Sequence, residues 1–184
     1  MPQEQQTTFP DPDRPDIWYH LFEPPTPASG THHVFAVSLI STPPPIANSA
    51  SIIGWLPAEH PSGQQEAGVS DFVENPTFRN ILHEGIKQGL AEGVDDIQIQ
   101  GAIQLREGWM HINDQRNVPA LGRIGDPDDI LGSVRVEEGK IKAETYEAMP
   151  AYRLCTSDGV VQLTEGLAGK LRQILEERIR RETR

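Results

Sequence analysis

The sequence predicts an α+β fold: a mainly antiparallel sheet of about five or six strands with two or three helices, one of them an amphipathic C-terminal helix. Three observations carry this. Strand-like segments outnumber helical ones and do not alternate with them, which disfavours a parallel βαβ arrangement. Two hairpin signals stand in the C-terminal third. Apolar stripes at helical spacing occupy two separate stretches.

In chain order, residues 1–16 are polar and proline-rich, and read as a disordered acidic arm ahead of a single domain over 17–184. IWYHLF, Ile17 to Phe22, is an abrupt apolar island. We read it as a strand pairing with HHVFAVSLI, His32 to Ile40, whose β-branched and aromatic residues suit a buried strand. The alternative is a peptide that docks on a partner, anchored by Trp18, Tyr19 and Phe22. Proline-rich loops fill 23–31 and 42–51, the second polyproline-like. IIGWLP is a short strand, and HPSGQQEAGVSD a flexible loop.

Asn75 caps a helix with Pro76 at its first position, where a missing N–H costs nothing. Phe78, Ile81, Leu82, Ile86 and Leu90 form its stripe, and Gly93 ends it. Gly85 and Gly89 weaken that helix and allow a close neighbour. DDIQIQGAIQL alternates like a strand, yet Asp95 or Asp96 can cap a helix there, and helix is our reading. GWMHI is a strand. GSVRVEE and KIKAE flank Gly139 as a hairpin. AYRLCTSDGVVQL is a second hairpin, turning at Ser157-Asp158-Gly159. TEGLAGKLRQILEERIRR is an amphipathic helix capped by Thr164, with Leu167, Leu171, Ile174, Leu175 and Ile179 on one face.

Bulk composition narrows the function classes. The 184 residues carry a formal charge of −11, which disfavours nucleic acid and anionic membrane surfaces as partners. Twelve of the 16 prolines lie at or before Pro61. One cysteine, Cys155, forbids an internal disulfide and suits a reducing compartment, so the cytosol is the expected location and the nucleus the alternative. We expect no signal peptide and no membrane span.

The stretch HINDQRNVPALGRIGDPDDILGSV, His111 to Val134, is densest in reactive residue types. An acid–base site would use His111 as general base, oriented by Asp114 or Asp126, with Arg116 or Arg123 binding an anionic substrate. The preferred reading is structural: Asp114 and Arg116 pair with each other, and the polar groups hold a long loop. Asp126, Asp128 and Asp129 fail as a calcium loop, because Ile130 and Leu131 fall where a ligand and a glycine are required. They read instead as a one-turn helix, with Asp126 as cap and Pro127 first. The histidines follow no zinc pattern, and no nucleotide or nucleophile-elbow motif is present, so neither cofactor nor metal is expected. The function expected is that of a soluble intracellular protein-interaction domain or complex subunit with a protein partner. The alternatives are a small cofactor-free enzyme centred on His111, Asp114, Arg116 and Arg123, or a small-ligand binder walled by Trp55 and Trp109.

Overall fold

A computed structural model of the chain describes residues 6–58, 71–120 and 123–183. The loop expected over 60–71, His60 within it, lies outside them except for Asp71. The architecture is α+β, with a five-stranded antiparallel sheet, a three-stranded antiparallel sheet, a two-stranded ribbon and three helices among the described residues. Contacts divide the chain into two compact units, residues 1–79 with 174–184 and residues 80–173.

The first unit holds the five-stranded sheet in chain order: β1 (Thr8–Pro10), β2 (Trp18–Phe22), β3 (Val34–Ser38), β4 (Ile52–Pro57) and β5 (Val73–Glu74). Val34, Ala36, Ile52 and Trp55 form its core, with Phe22 and Ala28 packed against them. Within the stretch expected as a disordered arm, residues 1–16, Thr8–Pro10 pairs with β2 as an edge strand. The physical reason is local chemistry that bulk composition hides. Asp11 accepts hydrogen bonds from the N–H groups of Asp13 and Arg14, closing an Asx-type turn. Phe9 meets Phe35 edge to face, and Pro10 is tolerated on an outer strand. Thr8 lies opposite His20, and the two side chains hydrogen-bond at 3.0 Å.

His20 is buried. Its Nε2 lies 2.9 Å from the Ile40 carbonyl, which can only accept, so Nε2 carries the proton and Nδ1 accepts from Thr8. Burial pushes the imidazole below its ordinary value of 6.5, against the pull of the Ile40 carbonyl.

Asn75 begins α1 (Pro76–Glu92) as expected, accepting from the Thr77 N–H. Its amide also donates to the carbonyls of Ser49 and Ile52, tying the helix start to the turn before β4. Glu182, in the last turn of α3 (Glu165–Thr183), accepts from the Ser49 hydroxyl and the Ala50 N–H. The boundary between the units falls within α1 and within α3.

The second unit contains α2 (Asp96–Leu105) and the sheet β6-β7-β8, made of β6 (Gly108–Asn113), β7 (Ile130–Glu137) and β8 (Lys140–Ala148). The ribbon pairs β9 (Cys155–Thr156) with β10 (Gly159–Val160). Both expected hairpins form. Glu138 and Gly139 turn the first, with φ of 52° and 74°. That is the left-handed pair a two-residue hairpin turn requires. DDIQIQGAIQL is helical because Asp95 caps it, accepting from the Gln98 N–H at 3.1 Å. The other oxygen of the same carboxylate accepts from the Leu167 N–H at 2.9 Å, so it serves the first turn of α3, a role expected of Thr164. A side chain at Gly166 would collide with the Val94 carbonyl and the Asp95 backbone, so only glycine lets the two helix starts meet.

Two outcomes follow. Removing residues 1–16 lowers the melting temperature by several degrees, about the effect of losing 1 kcal/mol or more, as read by circular dichroism. The stability that neutral His20 contributes is complete above its unfolded value of 6.5 and is lost as pH falls toward its lower folded value, because the unfolded chain then binds more protons. Denaturation midpoints therefore drop from about pH 7.5 to about pH 5, and His20→Gln flattens that drop.

Candidate functional site

The chain between β6 and β7 carries the residues singled out from sequence. β6 ends at Asn113 and Asp114 follows it, opening a short 3-10 turn, Gln115–Asn117, by accepting from the Arg116 N–H at 2.9 Å. A second turn, Pro127–Asp129, leads into β7. Asp126 precedes it, as expected of a cap, but its side chain makes no capping bond. The Asp129 N–H instead donates to the Asp126 backbone carbonyl.

Arg116 organises the centre. Its side chain is 1% exposed, and that of Asp114 is fully buried. A guanidinium brings five N–H donors, and here each of them has an acceptor within 3.3 Å. Nε donates to Asp129 Oδ1 at 2.9 Å. Nη1 donates to the carbonyls of Leu154 and Gly159, and Nη2 to those of Asp128 and Arg153. Asp114 Oδ2 stands 3.6 Å from Nη1, and the guanidinium lies 5.2 Å above the Tyr152 ring.

The carboxylates are satisfied in turn. Asp114 accepts from the Tyr152 hydroxyl and the Gln162 N–H, and Asp129 Oδ2 accepts from the Asn117 amide. Burial pushes the Asp114 carboxyl above its usual range, against the opposing pull of Arg116, the Tyr152 hydroxyl and two backbone N–H groups. For Arg116 the balance runs toward the charged form. Burial disfavours the cation, but Tyr152, Asp114 and Asp129 outweigh it and raise its value.

Asp114 and Arg116 thus meet, while the other two residues of the expected site stand elsewhere. His111 pairs across strands with Ser133, its Nδ1 2.8 Å from the hydroxyl. Arg123 is exposed. With five acceptors for five donors, the guanidinium has no N–H left for a substrate. The carboxylates of Asp126, Asp128 and Asp129 lie within 4.8 Å of one another, but both oxygens of Asp129 already accept, from Arg116 and Asn117. Trp55 belongs to the core of the first unit, and Trp109 is exposed on β6. Trp18, Tyr19 and Phe22 are half-buried in β2, with a strand on each side. Comparison with protein-family models, curated proteins and solved structures found no match to this chain.

The feature that pattern reading missed is on α2. Its buried residues are Gln98 and Ala102, while Ile97, Ile103 and Leu105 are 60%, 50% and 42% exposed. Beside it opens a cleft of about 520 Å³, lined by Leu90 and Ala91 of α1, Ile99, Ile103 and Arg106 of the α2 segment, and Ile141 of β8. A second cleft, about 430 Å³, shares Ala91 and runs between Glu84, Lys87 and Gln88 of α1 and Ala143 and Glu144 of β8. Residues 84, 87, 88 and 91 form a single helical stripe, so the two clefts follow one face of α1. The clue in the sequence was the composition of α2, where isoleucine, glutamine and glycine alternate without a clean apolar stripe.

Arg116→Lys removes the planar fork and most of its acceptors' partners. It costs about 3 kcal/mol or more, read as a lower denaturant midpoint. Asp95→Ala exposes two helix starts at once and costs about 2 kcal/mol, twice a single cap.

Proposed function

We propose that this chain is a soluble intracellular protein-interaction domain or complex subunit, and that its docking face is α2 with the adjoining cleft. The observation that carries the reading is the reversed polarity of α2, with a glutamine inside and isoleucines outside. Scattered exposed apolar residues are ordinary on any surface. Ile103 lines a cleft together with Leu90, Ile99 and Ile141, an apolar patch of the kind that partners cover, while Ile97 and Leu105 are exposed on other sides of the same short helix. The cleft walls are an α-helix and the outer strand of a sheet, both regular elements, so the surface is available without rearrangement. The acidic charge argues for protein over nucleic acid as the partner. No described helix is long and apolar enough to cross a membrane.

Acid–base chemistry around His111, Asp114, Arg116 and Arg123 is the competing reading. It gains no support from a guanidinium whose donors all point at this chain's own groups.

The deciding experiment is affinity purification of the chain from its native source, run in parallel with Ile97→Glu/Ile103→Glu. Both sites are solvent-exposed, so the double variant keeps its melting temperature within about 1 kcal/mol of stability. Proteins that co-elute with the parent at stoichiometric amounts and vanish with the variant support the reading. An identical set of co-eluting proteins with both would sink it.

A further inference from the structure

An edge separate from the α2 cleft lies in the second unit. Among the described residues, the sheet β6-β7-β8 ends on β6 at one side and on β8 at the other. In an antiparallel ladder, every second residue of an edge strand points its N–H and C=O away from the neighbouring strand. Such a row is a template for another strand, and folded proteins blunt it with charge, proline or brevity.

The other described edges of the two larger sheets are blunted in these ways. β1 has three residues and ends in Pro10, and β5 has two. β8 carries Lys140, Lys142, Glu144 and Glu147 along its length. β6 has none of these devices. Gly108-Trp109-Met110-His111-Ile112-Asn113 contains no lysine, arginine, acid or proline. Its pairing with β7 is regular from Gly108 to Ile112, and the bulge falls only after Ile112. Among the described residues, the one hydrogen bond its backbone makes outside the ladder is at its end, where Gln115 Nε2 donates to the Asn113 carbonyl. Trp109 stands beside this edge with half of its surface in water.

The strand also matches itself. Side chains directly opposite one another in an antiparallel pair share a face. β6 turns Trp109 and His111 to one face, and Met110 and the buried Ile112 to the other. Two copies of β6 therefore continue both faces only if odd-numbered residues meet odd and even meet even, since a slip by one exchanges the faces. The twofold axis between them must then fall on a residue. Met110 is the centre of the regular run Gly108–Ile112. Pairing about it matches the whole run, sets Trp109 of each copy opposite His111 of the other, and brings no like charges together within the run.

We propose that β6 is a pairing edge for a second copy of this chain, joining two three-stranded sheets into one of six strands. A contact one strand wide is small, so the association is of the weak, reversible class. Each copy carries −11, and that mutual repulsion is screened as salt rises. The dimer therefore tightens with ionic strength, whereas a basic peptide laid on the same edge would loosen.

The test is sedimentation velocity of the full chain from about 5 to about 500 µM at low and high salt, the range in which small interfaces assemble. The expected mass rises from monomer toward dimer with concentration, more steeply at high salt. Trp109→Lys/His111→Lys sets lysine against lysine at two places and raises the dissociation constant about tenfold or more. Trp109→Glu/His111→Lys replaces the same two residues but sets each glutamate against a lysine, and it associates at least as well as the parent. A parent that stays monomeric throughout overturns the inference, and so does association that loosens as salt rises. A double-lysine variant that dimerises like the parent overturns it too, as does a Glu/Lys variant that stays monomeric with an unchanged melting temperature.

Discussion

A guanidinium can be buried only if every donor it brings is met, because each unmet polar group in a dry environment costs on the order of 1–3 kcal/mol. Arg116 meets that condition with acceptors drawn from three stretches that are distant in sequence: the turn at 127–129, the strand-free segment at 153–154 and Gly159 of the ribbon. Four of the five acceptors are backbone carbonyls, so one side chain does for an irregular backbone what a ladder does for a sheet. The position explains the need. β6 and β7 pair from Gly108 opposite Val136 to Asn113 opposite Ile130, with a bulge between Ile112 and Asn113, although a long connection separates them. The Arg116 cluster sits at the two ends of that connection, where Asp114 leaves β6 and Asp129 enters β7. Two buried carboxylates face one guanidinium, and the Tyr152 hydroxyl, the Gln162 N–H and the Asn117 amide supply the remaining donors.

The same economy recurs where helices begin. Asn75 caps α1 with its oxygen and holds the turn before β4 with its amide. Asp95 gives one oxygen to α2 and the other to α3. In each case a short side chain with two hydrogen-bonding atoms joins segments that have no common strand or helix. Substitution there touches two elements at once, whereas substitution on a solvated helix face touches neither. Surfaces offered outward are of the opposite kind. Ile97 and Ile103 of α2 are exposed and make few demands on the fold.

Much of the architecture was legible from residue pattern. The Asn75-Pro76 start, the Glu138-Gly139 turn and the apolar stripe of the last helix each encode their element within a few neighbouring residues, through φ, capping or periodicity. Pattern reading was weaker at the N-terminal end. Prolines and acids there lowered the apparent capacity for structure, while a single Asx turn at Asp11 and a threonine facing a buried histidine returned Thr8–Pro10 to the sheet. α2 was read as a helix on the strength of its cap, but which of its faces lies inside could not be taken from residues that lack a clean stripe.

The candidate site divides along the same line. That Asp114 and Arg116 belong together was readable, since they are two residues apart and opposite in charge. Tyr152, and the carbonyls of Arg153, Leu154 and Gly159, were not, because a backbone acceptor has no letter in a sequence and tens of residues intervene. Sequence by itself determined the helices, the two hairpins and most of the longer strands, since propensity, capping and turn chemistry act over a few bonds. Tertiary structure alone decided what Arg116 holds, where His111 points and which face of α2 remains in water, because each depends on groups that meet only when distant segments pack.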